Sequence, residues 1–170
     1  MGILNKKLLQ NLIKIYKFKG VDKFYDIEPI FSSGNINTLA ESFVDSIKDL
    51  KVDYIICPEA RGFLIGSVVS SKLNLPLLMV RKVGKLPYEN EEDIVTVSYT
   101  TEYSSDTLQM KKIDLNGKNV LFIDDVFATG GTFEACRHLV EDCSGNLVGG
   151  ICLLLADGFN CSDNMRIVLD

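Results

Sequence analysis

The chain has 170 residues, with 18 Lys and Arg against 23 Asp and Glu for a net charge of −5, and 46% hydrophobic residues. This length points to one domain with one core, and the apolar content excludes a disordered or collagen-like chain. The acidic balance argues against nucleic acid as a partner, because proteins that grip phosphate backbones usually carry a basic excess.

Five cysteines without a C-x-x-C pair (Cys57, Cys136, Cys143, Cys152 and Cys161) read as free, mostly buried thiols in a reducing cytoplasm rather than a disulfide framework or a zinc site. Lys6, Lys7, Gln10, Asn11 and Lys14 break up the first apolar stretch. No run of about 18 apolar residues follows, so no membrane partner is expected.

In chain order, residues 3–16 place Leu4, Leu8, Leu9, Leu12, Ile13 and Tyr16 on one helical stripe, suited to core or dimer contact. Residues 17–23 read as a basic loop around Gly20. A second helix is expected to open near Thr38, which has capping-box spacing to Glu41. From there strands and helices alternate: a strand over 52–57, a helix over 62–73, a strand over 77–80. After a charged stretch over 81–93 containing Gly84 and Pro87, residues 94–100 alternate as a strand that 107–112 could pair with. Asn116-Gly117 marks a turn. A buried strand over 120–123, a helix over 132–142, an apolar strand over 148–155 and a short one over 166–169 complete the chain. Continuous apolar strands separated by helices predict an α/β fold with a mainly parallel sheet covered on both faces.

The most informative stretch is Val120-Leu121-Phe122-Ile123-Asp124-Asp125-Val126-Phe127-Ala128-Thr129-Gly130-Gly131-Thr132. A buried strand delivers two adjacent carboxylates to its C-terminal edge, and a small-residue loop then enters a helix. Ligands of open α/β sheets bind at that edge. The N–H groups of a helix N-terminus and the hydroxyls of Thr129 and Thr132 form a phosphate cradle that Gly130 and Gly131 let a ligand approach. Two carboxylates beside a phosphate repel it unless they face hydroxyls or a metal. A ribose bearing a 5′-phosphate satisfies both halves. The stretch matches neither a Walker nor a Rossmann pattern.

This stretch resembles the phosphoribosyl-pyrophosphate (PRPP) signature of the type I phosphoribosyltransferases. Three further segments resemble the adenine-specific branch: Glu59-Ala60-Arg61-Gly62-Phe63 its pyrophosphate loop, Arg81-Lys82-Val83-Gly84-Lys85-Leu86-Pro87 its RK-x-GKLP segment, and Ser98-Tyr99-Thr100-Thr101-Glu102-Tyr103 its flexible catalytic loop. All occur in family order, and the similarity runs from about Phe24 to Leu155. The resemblance implies a single phosphoribosyltransferase domain over 1–170, with an N-terminal helix and base-binding segment over 1–34 and a flexible loop over 83–105. It implies transfer of the 5-phosphoribosyl group of PRPP to adenine, giving AMP and pyrophosphate, with Mg²⁺ carried by PRPP rather than held directly by the protein.

Roles follow residue by residue. Glu102 would handle a proton on the purine, with Arg61 and Lys85 also catalytic. Asp124, Asp125, Ala128, Thr129, Gly130, Gly131 and Thr132 would bind PRPP and AMP. Glu59, Ala60, Arg61, Arg81 and Lys85 would bind pyrophosphate, with a strained, often cis, peptide near Glu59-Ala60. Phe24, Tyr25 and Ala156 would bind the base. The segment Gly20-Val21-Asp22-Lys23-Phe24-Tyr25-Asp26-Ile27 departs from the family's PGVxFRD stretch: the proline is absent and Tyr25 replaces the arginine. His138, inside the helix after the phosphate loop, reads as structural or surface. A homodimer is implied. The alternatives are a phosphoribosyltransferase for another purine, or a non-catalytic PRPP-sensing regulator.

Overall fold

The computed structural model describes residues 2–100 and 105–170. The elements run α1 (Gly2–Leu12), β1 (Lys14–Phe18), β2 (Val21–Asp26), α2 (Glu28–Ser32), α3 (Ile36–Ile47), β3 (Tyr54–Pro58), α4 (Arg61–Leu73), β4 (Leu77–Lys82), β5 (Ile94–Thr100), β6 (Ser105–Lys111), β7 (Asn119–Phe127), α5 (Gly131–Asp142), β8 (Asn146–Leu155) and β9 (Met165–Ile167). β1 and β2 form a separate hairpin. The other strands make one sheet in the order β5-β6-β4-β3-β7-β8-β9. β4, β3, β7, β8 and β9 are parallel, and β6 and β5 add an antiparallel edge.

Alternation along the central strands divides the core between the two faces. Ile55, Cys57, Leu121, Ile123, Ile151 and Leu153 pack with residues of α3 and α4 such as Leu39, Phe43, Ile65 and Val69. Ile56, Val120, Phe122 and Cys152 pack with Phe133, Cys136 and Leu139 of α5. The expected α/β sheet with helices on both faces is therefore present. Cys57, Cys136, Cys143 and Cys152 are buried free thiols, and Cys161 is an exposed one. Among the described residues no helix is long and apolar enough to cross a membrane.

Four local readings are corrected. The first helix ends at Leu12, and Tyr16 lies instead in β1. On the helix Leu9 is fully buried whereas Leu4 is 77% exposed, so the apolar stripe is only partly core. The stretch read as a loop over 17–23 is the end of β1, a turn at Lys19 and Gly20, both at positive φ, and the start of β2. The helix expected from Thr38 begins two residues earlier behind Asn35, which makes no side-chain capping bond, and α2 precedes it. The strand carrying the paired acids runs on to Phe127. Asp124 and Asp125 thus stand inside β7, where the ladder to β8 fixes their backbone.

Candidate active site

The end of β7 and the loop into α5 form a cleft lined by Phe122, Asp124, Val126 and the run from Phe127 to Phe133. The loop turns through Gly130 at φ +82, a conformation that favours glycine. A Cβ on Gly131 would come within 3.1 Å of the Tyr99 ring, so glycine there permits the close approach of β5 to the cradle. Thr129 Oγ1 accepts the Gly131 N–H at 3.4 Å, and the Tyr99 and Thr132 hydroxyls stand 3.3 Å apart. Ala128, Thr129, Gly130, Gly131 and Thr132 are thus brought together with Asp124 at a helix N-terminus, where unpaired N–H groups and the helix dipole favour an anion.

The two carboxylates differ in environment. Asp124 Oδ1 accepts the Asp125 N–H at 2.9 Å. Burial, and then the negative charge of Asp125, push the Asp124 carboxyl well above the usual carboxylate range. Asp125 is only 5% exposed. Arg61 Nε lies 2.8 Å from its Oδ2, but the N–H is not aimed along that line, and Oδ2 accepts no hydrogen bond among the described residues. A buried acceptor without a donor costs about 1–3 kcal/mol.

The cations expected at the sheet edge form two groups. Arg61, the first residue of α4, reaches back over the site. Besides Asp125 it meets the hairpin, donating from Nη1 to the Tyr25 carbonyl at 2.7 Å and covering the Phe24 ring at 5.1 Å from its centroid. The face of Phe24 expected to stack on a base is thus shared with Arg61. Arg81 and Lys85 converge on Glu59, with Nε 2.9 Å from Oε2 and Nζ 3.0 Å from Oε1. Burial alone would raise the Glu59 carboxyl, but these two partners outweigh it and hold it below its ordinary range. Glu59 therefore orients the two cations. The Glu59–Ala60 peptide is cis.

Tyr25 and Ala156 line a second cavity of about 510 Å³, together with Val21, Asp22, Lys23, Asp157, Gly158 and Phe159. Phe24 is not part of its lining, so the three expected base-binding residues do not share one wall. His138 is 53% exposed on α5, 3.4 Å from Glu141, and stands apart from the site as a surface residue. Glu102 lies outside the described residues. Sequence reasoning missed the Arg61–Asp125 pairing, which joins residues far apart in the chain and has no local signal.

No group of three or more His, Cys, Asp or Glu side chains is gathered as a protein-held metal site would require, among the described residues. The hard oxygen donors at this end of β7 are the carboxylates of Asp124, which lines the cleft, and of Asp125. That donor set fits a divalent cation that arrives already coordinated by phosphate oxygens.

Known proteins resemble this chain in sequence and in fold. The family profile for the phosphoribosyl transferase domain matches residues 21–160, and the chain belongs to that family. Its relatives include the adenine phosphoribosyltransferases of Corynebacterium glutamicum, 37% identical over 86% of this chain and 78% of that protein, and of Streptococcus thermophilus, 39% identical over 87% and 84%. Among solved structures, the adenine phosphoribosyltransferase of Saccharomyces cerevisiae, complexed with an imino-altritol bisphosphate and adenine, superposes with a TM-score of 0.85. That match covers 98% of this chain and 99% of the other at 29% identity.

Proposed function

We infer that this protein is a pentosyltransferase that moves the 5-phosphoribosyl group of PRPP onto adenine, forming AMP and pyrophosphate. The observation that carries the reading is the buried Asp125 oxygen without a hydrogen-bond donor, beside Asp124 and a glycine-bearing helix N-terminus. Ribose hydroxyls satisfy the first and a 5′-phosphate the second. Ala128 to Thr132 hold that phosphate, while Asp124 and Asp125 accept the 2′- and 3′-hydroxyls and favour positive charge developing on the ring.

The C1′–O bond breaks with its electron pair leaving on pyrophosphate, and adenine N9 forms the new bond to C1′ from the opposite face. The N9 proton passes to Glu102, a carboxylate suited to this once closure of the arm over 83–105 excludes water. Arg81 and Lys85 exchange their contacts with Glu59 for the departing pyrophosphate, and Ala60 and Arg61 border it. Mg²⁺ carried in by PRPP would supply charge neutralisation at the leaving group, beside Arg81 and Lys85. Tyr25 and Ala156 border the base, and Phe24 approaches it from beside Arg61.

The reading places the enzyme in the cytoplasm, where buried thiols such as Cys57 and Cys152 stay reduced, and assigns it a homodimer. It is tested by Asp125→Asn, which removes a charged acceptor for a ribose hydroxyl and should lower kcat/KM for PRPP by at least tenfold, about 1.5–3 kcal/mol. Unchanged kinetics would remove the ribose from this position.

A further inference from the structure

The β1–β2 hairpin projects from the body. All five residues of β1 are exposed, and the hairpin forms a sheet of its own. Apart from the local bond that Glu28 N–H of α2 donates to Asp26 Oδ1, its hydrogen bonds and ion pairs to the body converge, among the described residues, on two residues. One is Arg61, already described. The other is Asp157, just beyond the end of β8. Its carboxylate pairs with Lys23 Nζ, and its backbone N–H donates to Tyr25 Oη at 3.0 Å. Lys23 and Tyr25 are alternate residues of one strand and so present the same face of β2 to this loop. Tyr25 is buried, and the cavity it lines lies between that face and residues 156–159.

The two ties differ in what happens to them during turnover. Arg61 contacts Asp125 as well as the hairpin, so a sugar phosphate bound at Asp125 competes for the same guanidinium. Among the described residues, Asp157 makes no hydrogen bond or ion pair with those given to the phosphate or the ribose. We propose that Asp157 is a positioning residue for the base: through Lys23 and Tyr25 it latches the β1–β2 hairpin to the end of β8, keeping the base cavity formed while Arg61 is engaged by the sugar phosphate. This latch rests on the transferase reading for its effect on adenine, but its mechanical half does not. It also gives Tyr25, where the resembling family has arginine, a definite task, since an arginine cannot accept the Asp157 N–H.

The test measures steady-state kinetics of Tyr25→Phe, Lys23→Glu, Asp157→Lys and the double charge swap Lys23→Glu/Asp157→Lys, with PRPP saturating when adenine is varied. Tyr25→Phe and the two single charge variants should raise KM for adenine roughly three- to tenfold, the scale of one ordinary hydrogen bond or charge contact. For Lys23→Glu and Asp157→Lys, kcat and KM for PRPP should stay within about twofold of the parent. The charge swap should bring KM for adenine back to within about twofold of the parent, a rescue that general loosening of the fold would not produce.

Amide hydrogen exchange over residues 14–26 of the unliganded variants reads the latch without substrate: faster in each single variant, restored in the swap. Parallel rises in both KM values, a swap no better than its single variants, or unaltered exchange would overturn the proposal. So would faster exchange with KM for adenine unmoved. A parent enzyme that fails to use adenine would count against the transferase reading instead, and the exchange experiment would still decide whether the latch exists.

Discussion

Replacing Asp124 by asparagine should stabilise the unliganded protein while impairing it as an enzyme. The carboxylate sits in a crowded spot: a Cβ on Gly62 would approach Asp124 Oδ1 to 3.0 Å, and burial and the adjacent Asp125 raise its proton affinity. At acid pH both folded and unfolded chains hold the Asp124 proton. As pH rises past about 4, the unfolded chain releases it first, and unfolding gains until pH passes the raised folded value. Wild-type stability therefore loses about 1.4 kcal/mol for each unit by which the folded value exceeds the unfolded one. Asparagine does not titrate and keeps an oxygen to accept the Asp125 N–H, at a cost of about 1 kcal/mol for a neutral in place of a charged acceptor. In a chain of this size each net kcal/mol moves Tm by about 2–4 °C. Melting curves of both proteins from pH 4 to 8 should show Asp124→Asn gaining on the wild type as pH rises and melting higher at neutral pH. Its PRPP affinity by calorimetry should fall at least tenfold. A variant less stable at pH 7, or a gap that does not change with pH, would refute the argument that a buried charge is held here for ligand binding.

Other consequences are as direct. PRPP with Mg²⁺ should raise Tm with no base present, because the cradle and the ribose acceptors are complete without the purine; a strong shift with adenine alone and none with PRPP would reverse that division of the site. Gly66→Ala should destabilise by about 1–3 kcal/mol in urea unfolding, since the added Cβ would clash with the Cys57 thiol, and Cys57→Ala should recover most of the loss. Glu59 has its folded proton affinity depressed, so its contribution is full above the ordinary carboxylate range and fades as pH falls through the folded value. The Tm deficit of Glu59→Gln should shrink accordingly in acid. Glu102→Ala should cut turnover far more than PRPP affinity, measured by single-turnover kinetics against calorimetry, and an equal fall in both would remove its proton-transfer role.

The parts of this molecule that could be read from sequence are those fixed by local pattern. The apolar runs of β3, β7 and β8 and the helices α4 and α5 lie within a few residues of where periodicity puts them, because a packed core covers each face of the sheet. The cradle over Ala128–Thr132 was legible because glycine and threonine at a strand-to-helix turn have a local purpose. The hairpin was hidden: with β1 exposed throughout, its residues alternate without an apolar face, and Lys17 and Lys19 read as loop. The Thr38–Glu41 spacing misled because tertiary packing of Leu39, Ala40 and Phe43 sets the start of α3 without a side-chain cap. The electrostatic partnerships were the least legible. Arg61 with Asp125, Glu59 with Arg81 and Lys85, and Lys23 with Asp157 each join different elements. Only the assembled sheet shows which charge answers which.

The central claim is that this site joins a phosphoribosyl group to adenine. Phosphorus NMR of the purified protein with PRPP, Mg²⁺ and adenine follows substrate and both products in one experiment. The PRPP signals should be replaced by equal amounts of AMP and pyrophosphate, at a rate cut at least tenfold in Asp125→Asn. Persistence of PRPP with adenine present, or pyrophosphate released without AMP, would contradict it.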